Sequence, residues 1–132
     1  MAQLNCVVVT PEETALEQTA SFIVLPLFDG EIGIGPGHSP LIGRLGFGEM
    51  RLNDGNNVSR YYVDGGFVQV ADNTVSVLTG RAIPAGEVNV DAARKQLEQA
   101  KKKPSNTPEL MEIRDRLVNQ ARSQIQVGQR AV

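Results

Sequence analysis

From Met1 to Gly86 the apolar residues alternate with polar ones or gather in short runs, and Gly, Pro, Asn and Asp interrupt them at spacings of about ten residues. Leu4-Asn5-Cys6-Val7-Val8-Val9-Thr10 is rich in β-branched side chains and stops at Pro11. A second extended region runs from Ala15 to Pro26, and its apolar part, Phe22 to Leu27, reads as buried on both faces for some of its length. Glu49-Met50-Arg51-Leu52 alternates as a half-buried strand does, and Asp54-Gly55 is a hairpin turn leading into Val58 to Val63. Asp64-Gly65-Gly66 predicts a further turn, Phe67 to Ala71 a strand, Asp72-Asn73 another turn, and Thr74 to Thr79 a closing strand. Short strands so spaced, with no helices between them, predict a β-sandwich or flattened barrel and argue against a doubly wound sheet.

After Gly86 the period changes. Asn89 or Asp91 caps a helix through Ala92, Ala93, Leu97 and Ala100 to Lys102, and its basic C-terminal end suits the helix dipole. Pro104-Ser105-Asn106 breaks it, and Thr107-Pro108 with Glu109 opens a second helix. Leu110, Ile113, Leu117, Ala121 and Ile125 recur at three and four as one narrow apolar stripe. The predicted class is therefore α+β: an N-terminal antiparallel β-sandwich over residues 1–86, then a C-terminal helical hairpin over 87–132. Two short helices of this kind bury little area, so the hairpin must lean on its sandwich or on a partner.

Between Phe28 and Leu45 the breakers crowd together. Gly30, Gly33, Gly35 and Gly37 permit positive φ, while Pro36 and Pro40 fix φ and remove amide donors. Glu31-Ile32 and Leu41-Ile42 read as short strand pieces flanking a shaped loop. That loop carries the single histidine of the chain, His38, and the acid Glu31, and such a stiffened loop suits a presented surface.

Charge sharpens the boundary near Pro84-Ala85-Gly86. The net charge of −2 over 132 residues hides 4 Arg and no Lys against 9 acids before residue 87, and 9 basic residues against 6 acids after it. Every Phe and Tyr lies on the N-terminal side. The apolar fraction of 41% supports a core, and no tract is long enough to span a membrane. Neither a secretory signal nor an Arg-rich transit peptide is visible at the start of the sequence. Cys6 is alone, so no internal disulfide forms, and one Cys with one His makes no zinc site of the usual kind.

Catalytic motifs fail on missing partners. Gly33-Ile34-Gly35-Pro36-Gly37 lacks the Lys-Ser/Thr of a phosphate loop, and no helix follows it. His38 beside Ser39 is not a triad, because neighbours on an extended chain point to opposite sides. Lys101-Lys102-Lys103 is a solvated helix end in an acidic chain rather than a nucleic-acid site.

Gly30-Glu31-Ile32-Gly33-Ile34-Gly35-Pro36-Gly37-His38-Ser39-Pro40-Leu41, followed by Gly65-Gly66-Phe67-Val68-Gln69-Val70 and Val75 to Thr79, resembles the epsilon subunit family of F-type ATP synthases, of bacterial or plastid type. The order of sandwich and hairpin matches as well. The resemblance implies a non-catalytic rotor subunit of the central stalk, which couples ion flow through the c-ring to ATP synthesis. Its implied partners are the gamma subunit, the c-ring and, through the C-terminal helices, the alpha/beta catalytic hexamer. It implies peripheral attachment at the cytoplasmic face of the cell inner membrane or the stromal face of the thylakoid, with no membrane insertion of its own and no nucleic acid.

Carried onto this chain, the resemblance implies c-ring or gamma contacts at Glu31, Ile32, Gly33, Pro36, Gly37 and His38. In bacterial members the hairpin also detaches and opposes ATP hydrolysis, which implies contacts to the hexamer from Arg114, Arg116 and Arg122, with Arg130 beyond them. Some members bind a regulatory ATP at the start of the first helix, where this chain reads Val90-Asp91-Ala92-Ala93-Arg94-Lys95. Asp91 and Arg94 also have the spacing of a plain intrahelical ion pair. Two other readings of the residues stay open at this point: a free-standing ligand-sensing β-sandwich with a helical lid, and a hydrolase using His38.

Overall fold

The structure, a computed structural model, describes residues 3–130. The reading of the extreme N-terminus at Met1 and Ala2, and the last two residues of the hairpin segment, lie outside that range. Eight strands come first: β1 (Leu4–Val9), β2 (Thr14–Ala20), β3 (Phe22–Leu27), β4 (Gly30–Ile34), β5 (Leu41–Asp54), β6 (Asn57–Ala71), β7 (Thr74–Leu78) and β8 (Ala82–Pro84). A 3₁₀ turn at Ala85–Glu87 leads to helices α1 (Val90–Lys101) and α2 (Pro108–Arg130). Sandwich and hairpin both stand as expected.

Neighbouring strands follow the order β2-β1-β7-β6-β5-β3-β4, with β8 added to β6. All pairs are antiparallel except β1 with β7, which is parallel, with β1 lying between β2 and β7. The second extended region resolves into β2 and β3, divided at Ser21, whose N–H donates to the Asn53 carbonyl at 2.7 Å.

Two expected breaks are absent. Leu41-Ile42 and Glu49 to Leu52 belong to one 14-residue strand, β5, and Asp64-Gly65-Gly66 is no turn but a kink inside the 15-residue β6. The register between β5 and β6 is continuous from Leu41↔Val70 to Asp54↔Asn57. What changes at the kink is the partner and the face. Beyond Gly66, β6 pairs with β7; before Asp64 it pairs with β8. Along β6 the residues turned to the core are Tyr61 and Val63, then Val68 and Val70; along β5 they are Leu41 and Leu45, then Met50 and Leu52. Both strands therefore exchange odd for even inward positions at the same level and carry the sheet round from one layer to the other. Glycine is required there. Gly66 has φ +107°, and a Cβ on Gly46 would stand 2.8 Å from the Leu27 carbonyl oxygen.

The core lies between the layers and includes Leu4, Cys6, Val8, Ile23, Leu25, Ile34, Met50, Leu52, Val68, Val75 and Val77. Its chemistry is the alternation read from the sequence, one apolar residue inward every second position.

In the hairpin, the Asn89 side chain accepts from the Ala92 N–H at 3.0 Å and caps α1. Thr107 Oγ1 accepts from the Leu110 N–H at 3.1 Å at the start of α2. The second helix is not short: it has 23 residues against 12 for α1. Its expected apolar stripe is also rotated. Leu110 and Ile113 are exposed, Leu117 and Ile125 half-buried, and the buried positions are Val118, Ala121, Gln124, Val127 and Gly128. The reason is that α2 outruns α1. Its first turns border an open cleft with Phe28 and Leu97, while Gly128 near its end packs against Val88 and Val90.

Candidate functional site

The Gly/Pro-rich segment folds as a β-hairpin arm followed by a turn. Glu31, Ile32 and Gly33 sit on β4, at the edge of the sheet, and Pro36, Gly37 and His38 lie in the turn after it. The His38 N–H donates to the Gly35 carbonyl at 3.2 Å, closing the turn. The Gly37 N–H donates to Asn73 Oδ1 at 2.7 Å, which fastens this turn to the Asp72-Asn73 turn between β6 and β7. Pro36, Gly37, Asp72 and Asn73 are all exposed and together form one end of the sandwich. His38 is half-buried, with Nδ1 donating to the Ser39 carbonyl at 2.7 Å. It has a backbone partner and no catalytic one.

The six expected contact residues do not form a single patch. Ile32 packs against the core. Gly33 is exposed, with the Phe22 ring beside it where an added Cβ would meet Phe22 Cζ at 2.6 Å. Glu31 is exposed, and Arg51 stands 3.8 Å from its carboxylate. Arg51 in turn reaches Glu49 at 3.4 Å, and Arg60 reaches the same Glu49 oxygen at 2.9 Å. The exposed link at Glu31 contributes ~0–1 kcal/mol and leaves the carboxylate accessible.

A second surface was not singled out from the sequence. Val9, Leu78, Phe67 and Arg44 are lateral partners across β1, β7, β6 and β5, so their side chains share one outer face. Ile42 stands two residues from Arg44 on that face. Exposure reaches 77% at Ile42, 59% at Phe67, 51% at Leu78 and 37% at Val9. Arg44 ends the row with its guanidinium 4.5 Å from the exposed Phe28 ring. The signal was present in the sequence as apolar residues at positions where alternation calls for polar ones. Phe67 next to inward Val68, and Leu78 next to inward Val77, break the pattern.

The hairpin residues are also dispersed. Asp91 and Arg94 are exposed and form the i,i+3 ion pair at 3.7 Å, while Val90 packs on Gly128 of α2. Arg114 pairs with Asp115 at 3.5 Å and faces Lys101 of α1 across a small cleft. Arg116 and Arg122 border a wider cleft of about 1300 Å³ between α2 and the sandwich, opposite Arg44, Phe47 and Gly65.

Two buried groups have shifted acidities. Burial raises the Cys6 thiol from 9.0 to about 12, which keeps it neutral and inert. Burial also raises the Tyr62 phenol, and the Asp64 carboxylate beside it adds to the rise. Among the described residues no group of His, Cys, Asp and Glu could hold a metal ion, and no helix is long and apolar enough to cross a membrane.

The model of the ATP synthase delta/epsilon chain β-sandwich domain matches residues 3–85. The ATP synthase epsilon chain of Rhodopirellula baltica is 50% identical over 125 residues, covering 95% of this chain and 98% of that one. The epsilon chain of Rubrobacter xylanophilus is 37% identical over 107 residues, covering 81% and 73% respectively. A chain in the cryo-EM structure of the Euglena gracilis mitochondrial ATP synthase shares the fold with a TM-score of 0.82 at 24% identity, over 93% of this chain and 79% of that one. With its sandwich matched from end to end and a relative half identical over nearly its full length, the chain belongs to the ATP synthase delta/epsilon family.

Proposed function

We propose that this chain is the epsilon-type subunit of an F-type ATP synthase, a non-catalytic part of the central stalk that couples ion flow through the c-ring to ATP synthesis. The observation that carries this reading is the outer row of Val9, Ile42, Phe67 and Leu78. A rigid sheet that leaves four large apolar side chains exposed in one row is shaped to be covered by another protein. The gamma subunit is the partner assigned to that row. The end of the sandwich built from Pro36, Gly37 and Asn73, with Glu31 on the neighbouring edge strand, is the part assigned to the polar loops of the c-ring. His38 supports that end through its backbone bond instead of reacting.

Association should depend on the apolar row far more than on Glu31, because desolvated aromatic and aliphatic anchors dominate interface energies while exposed ion pairs contribute little. Co-purification with the gamma subunit measures this. Phe67→Glu together with Ile42→Glu is expected to abolish a stoichiometric complex, and Glu31→Gln to leave it intact. A complex of unchanged affinity in the double variant, with the sandwich folded, would remove the row from the interface.

The regulatory part of the reading rests on the hairpin. Arg116 and Arg122 line an open cleft when the hairpin is docked, and a hairpin that lifted away would free them for an acidic surface of the catalytic hexamer.

A further inference from the structure

The seat of the hairpin on the sandwich is built unlike the core. Its buried apolar part is small: Tyr62, Ala85 and Val127, flanked by Phe47, Ile83 and Val88. Beside it stands Asp64, only 12% exposed at its side chain, at the kink of β6. Gln120 of α2 donates its Nε2 to both carboxylate oxygens, at 2.8 and 2.9 Å. The Tyr62 hydroxyl donates to Oδ1 at 2.8 Å, and Arg81 Nε to Oδ2 at 3.1 Å. The Asp64 N–H donates to Thr79 Oγ1 at 2.9 Å, so the residue is held from the backbone as well.

One turn further along α2, Gln124 is buried with Nε2 unpartnered, and on the sheet Glu49 Oε2 is buried and unpartnered too. Buried polar atoms without full partners offset part of the small apolar gain of docking. If the hairpin lifts, Gln124 on α2 regains water. Asp64 then loses only its Gln120 bonds and keeps Tyr62, Arg81 and Thr79, so the corner of the sandwich stays whole.

We propose that Asp64 and Gln120 form a clasp that decides whether the helical hairpin is docked, so that a single charge-assisted junction, and not apolar area, sets the docked population. Asp64 is the positioning residue and Gln120 the separable half. The arrangement lets the hairpin leave a sandwich that does not change, and the two helices, with little area buried between them, then fray and expose their amides.

Amide hydrogen exchange on the full chain tests this, with the amides of α2 as reporters and those of Cys6, Val68 and Val75 as internal controls. Gln120→Leu is expected to speed exchange in α2 by roughly tenfold to a hundredfold, the range of a hydrogen bond to a charged group, with the controls unchanged. Gln120→Glu, which sets a second carboxylate against Asp64, is expected to speed it further. Adding Asp64→Asn to Gln120→Leu is expected to bring no further change in α2, since the shared junction is already lost. The proposal is overturned if Gln120→Leu leaves α2 within twofold of the unmodified chain. It is equally overturned if helices and controls accelerate by the same factor, if Gln120→Glu matches Gln120→Leu, or if the two substitutions add in α2. Gln120 touches none of the core, so its variants fold even where Asp64→Asn weakens the corner.

Discussion

At Gly66 a Cβ would fall against the carbonyl carbon and oxygen of Leu78, with φ at +107°. Backbone cannot swing aside, so Gly66→Ala is expected to cost ~3 kcal/mol or more. At Gly33 the obstacle is the far end of the Phe22 ring, and φ is ordinary. There the ring can turn away, and Gly33→Ala is expected to cost only ~1 kcal/mol. Urea denaturation of the two variants measures the difference, and Phe22→Leu should recover most of the loss at Gly33 and none at Gly66. The sequence marks both positions with the same letter. Positive φ, open to all four loop glycines, is used at Gly30 and Gly37; at Gly33 φ is ordinary and the Phe22 ring occupies the place of a Cβ. That ring belongs to β3, and only the folded sheet brings it there, so the reason was not legible from local spacing.

At the scale of elements, alternation made most of the strands legible, and capping residues made both helix starts legible, because each depends on neighbours within a few residues. The long strands β5 and β6 were misread as broken, since Gly43, Gly46, Gly48, Gly65 and Gly66 look like turn signals in one dimension. In three dimensions they let two paired strands bend together without losing register. Helix α2 was misread for a related reason. A stripe at spacings of three and four fixes a face, but which face is covered depends on what stands opposite. The finding gives a contrast within one helix. Ile113, exposed near the start of α2, is expected to tolerate Ser with a change under ~0.5 kcal/mol. Ala121, almost fully buried, is expected to lose ~1–3 kcal/mol as Leu by overpacking. Thermal unfolding of the full chain distinguishes them, and equal effects would mean that the hairpin does not sit as described.

For the whole molecule, the relation between its two bodies has a signature in alkaline solution. The sandwich core contains no hairpin residue, so a chain ending at Gly86 is expected to fold. Its Tyr62 would lose the cover of Val127 and the helix above it, while Cys6 would stay buried between the layers. Both groups have acidities weakened by folding, so each stabilises the native state below its ordinary pKa and loses that contribution as pH rises towards the folded value. For Cys6 the loss begins above 9.0 and runs towards about 12. For Tyr62 it begins above 10.0, because the unfolded chain gives up the phenol proton there and the folded chain retains it. The full chain should therefore show a falling urea midpoint above pH 9.0 that steepens past 10.0, and the truncated chain a weaker second limb, since Asp64 still holds the Tyr62 phenol up after its cover is gone. Cys6→Ala in the truncated chain should remove the part that begins above 9.0. If truncation leaves the steeper limb undiminished, Tyr62 is protected by the sandwich alone and the hairpin is not its cover. The same truncation, assembled with gamma, c-ring and catalytic hexamer, is expected to raise ATP hydrolysis if the arginines of α2 restrain the hexamer. Unchanged hydrolysis would confine the hairpin to a structural role and leave the assignment of the sandwich to the stalk untouched.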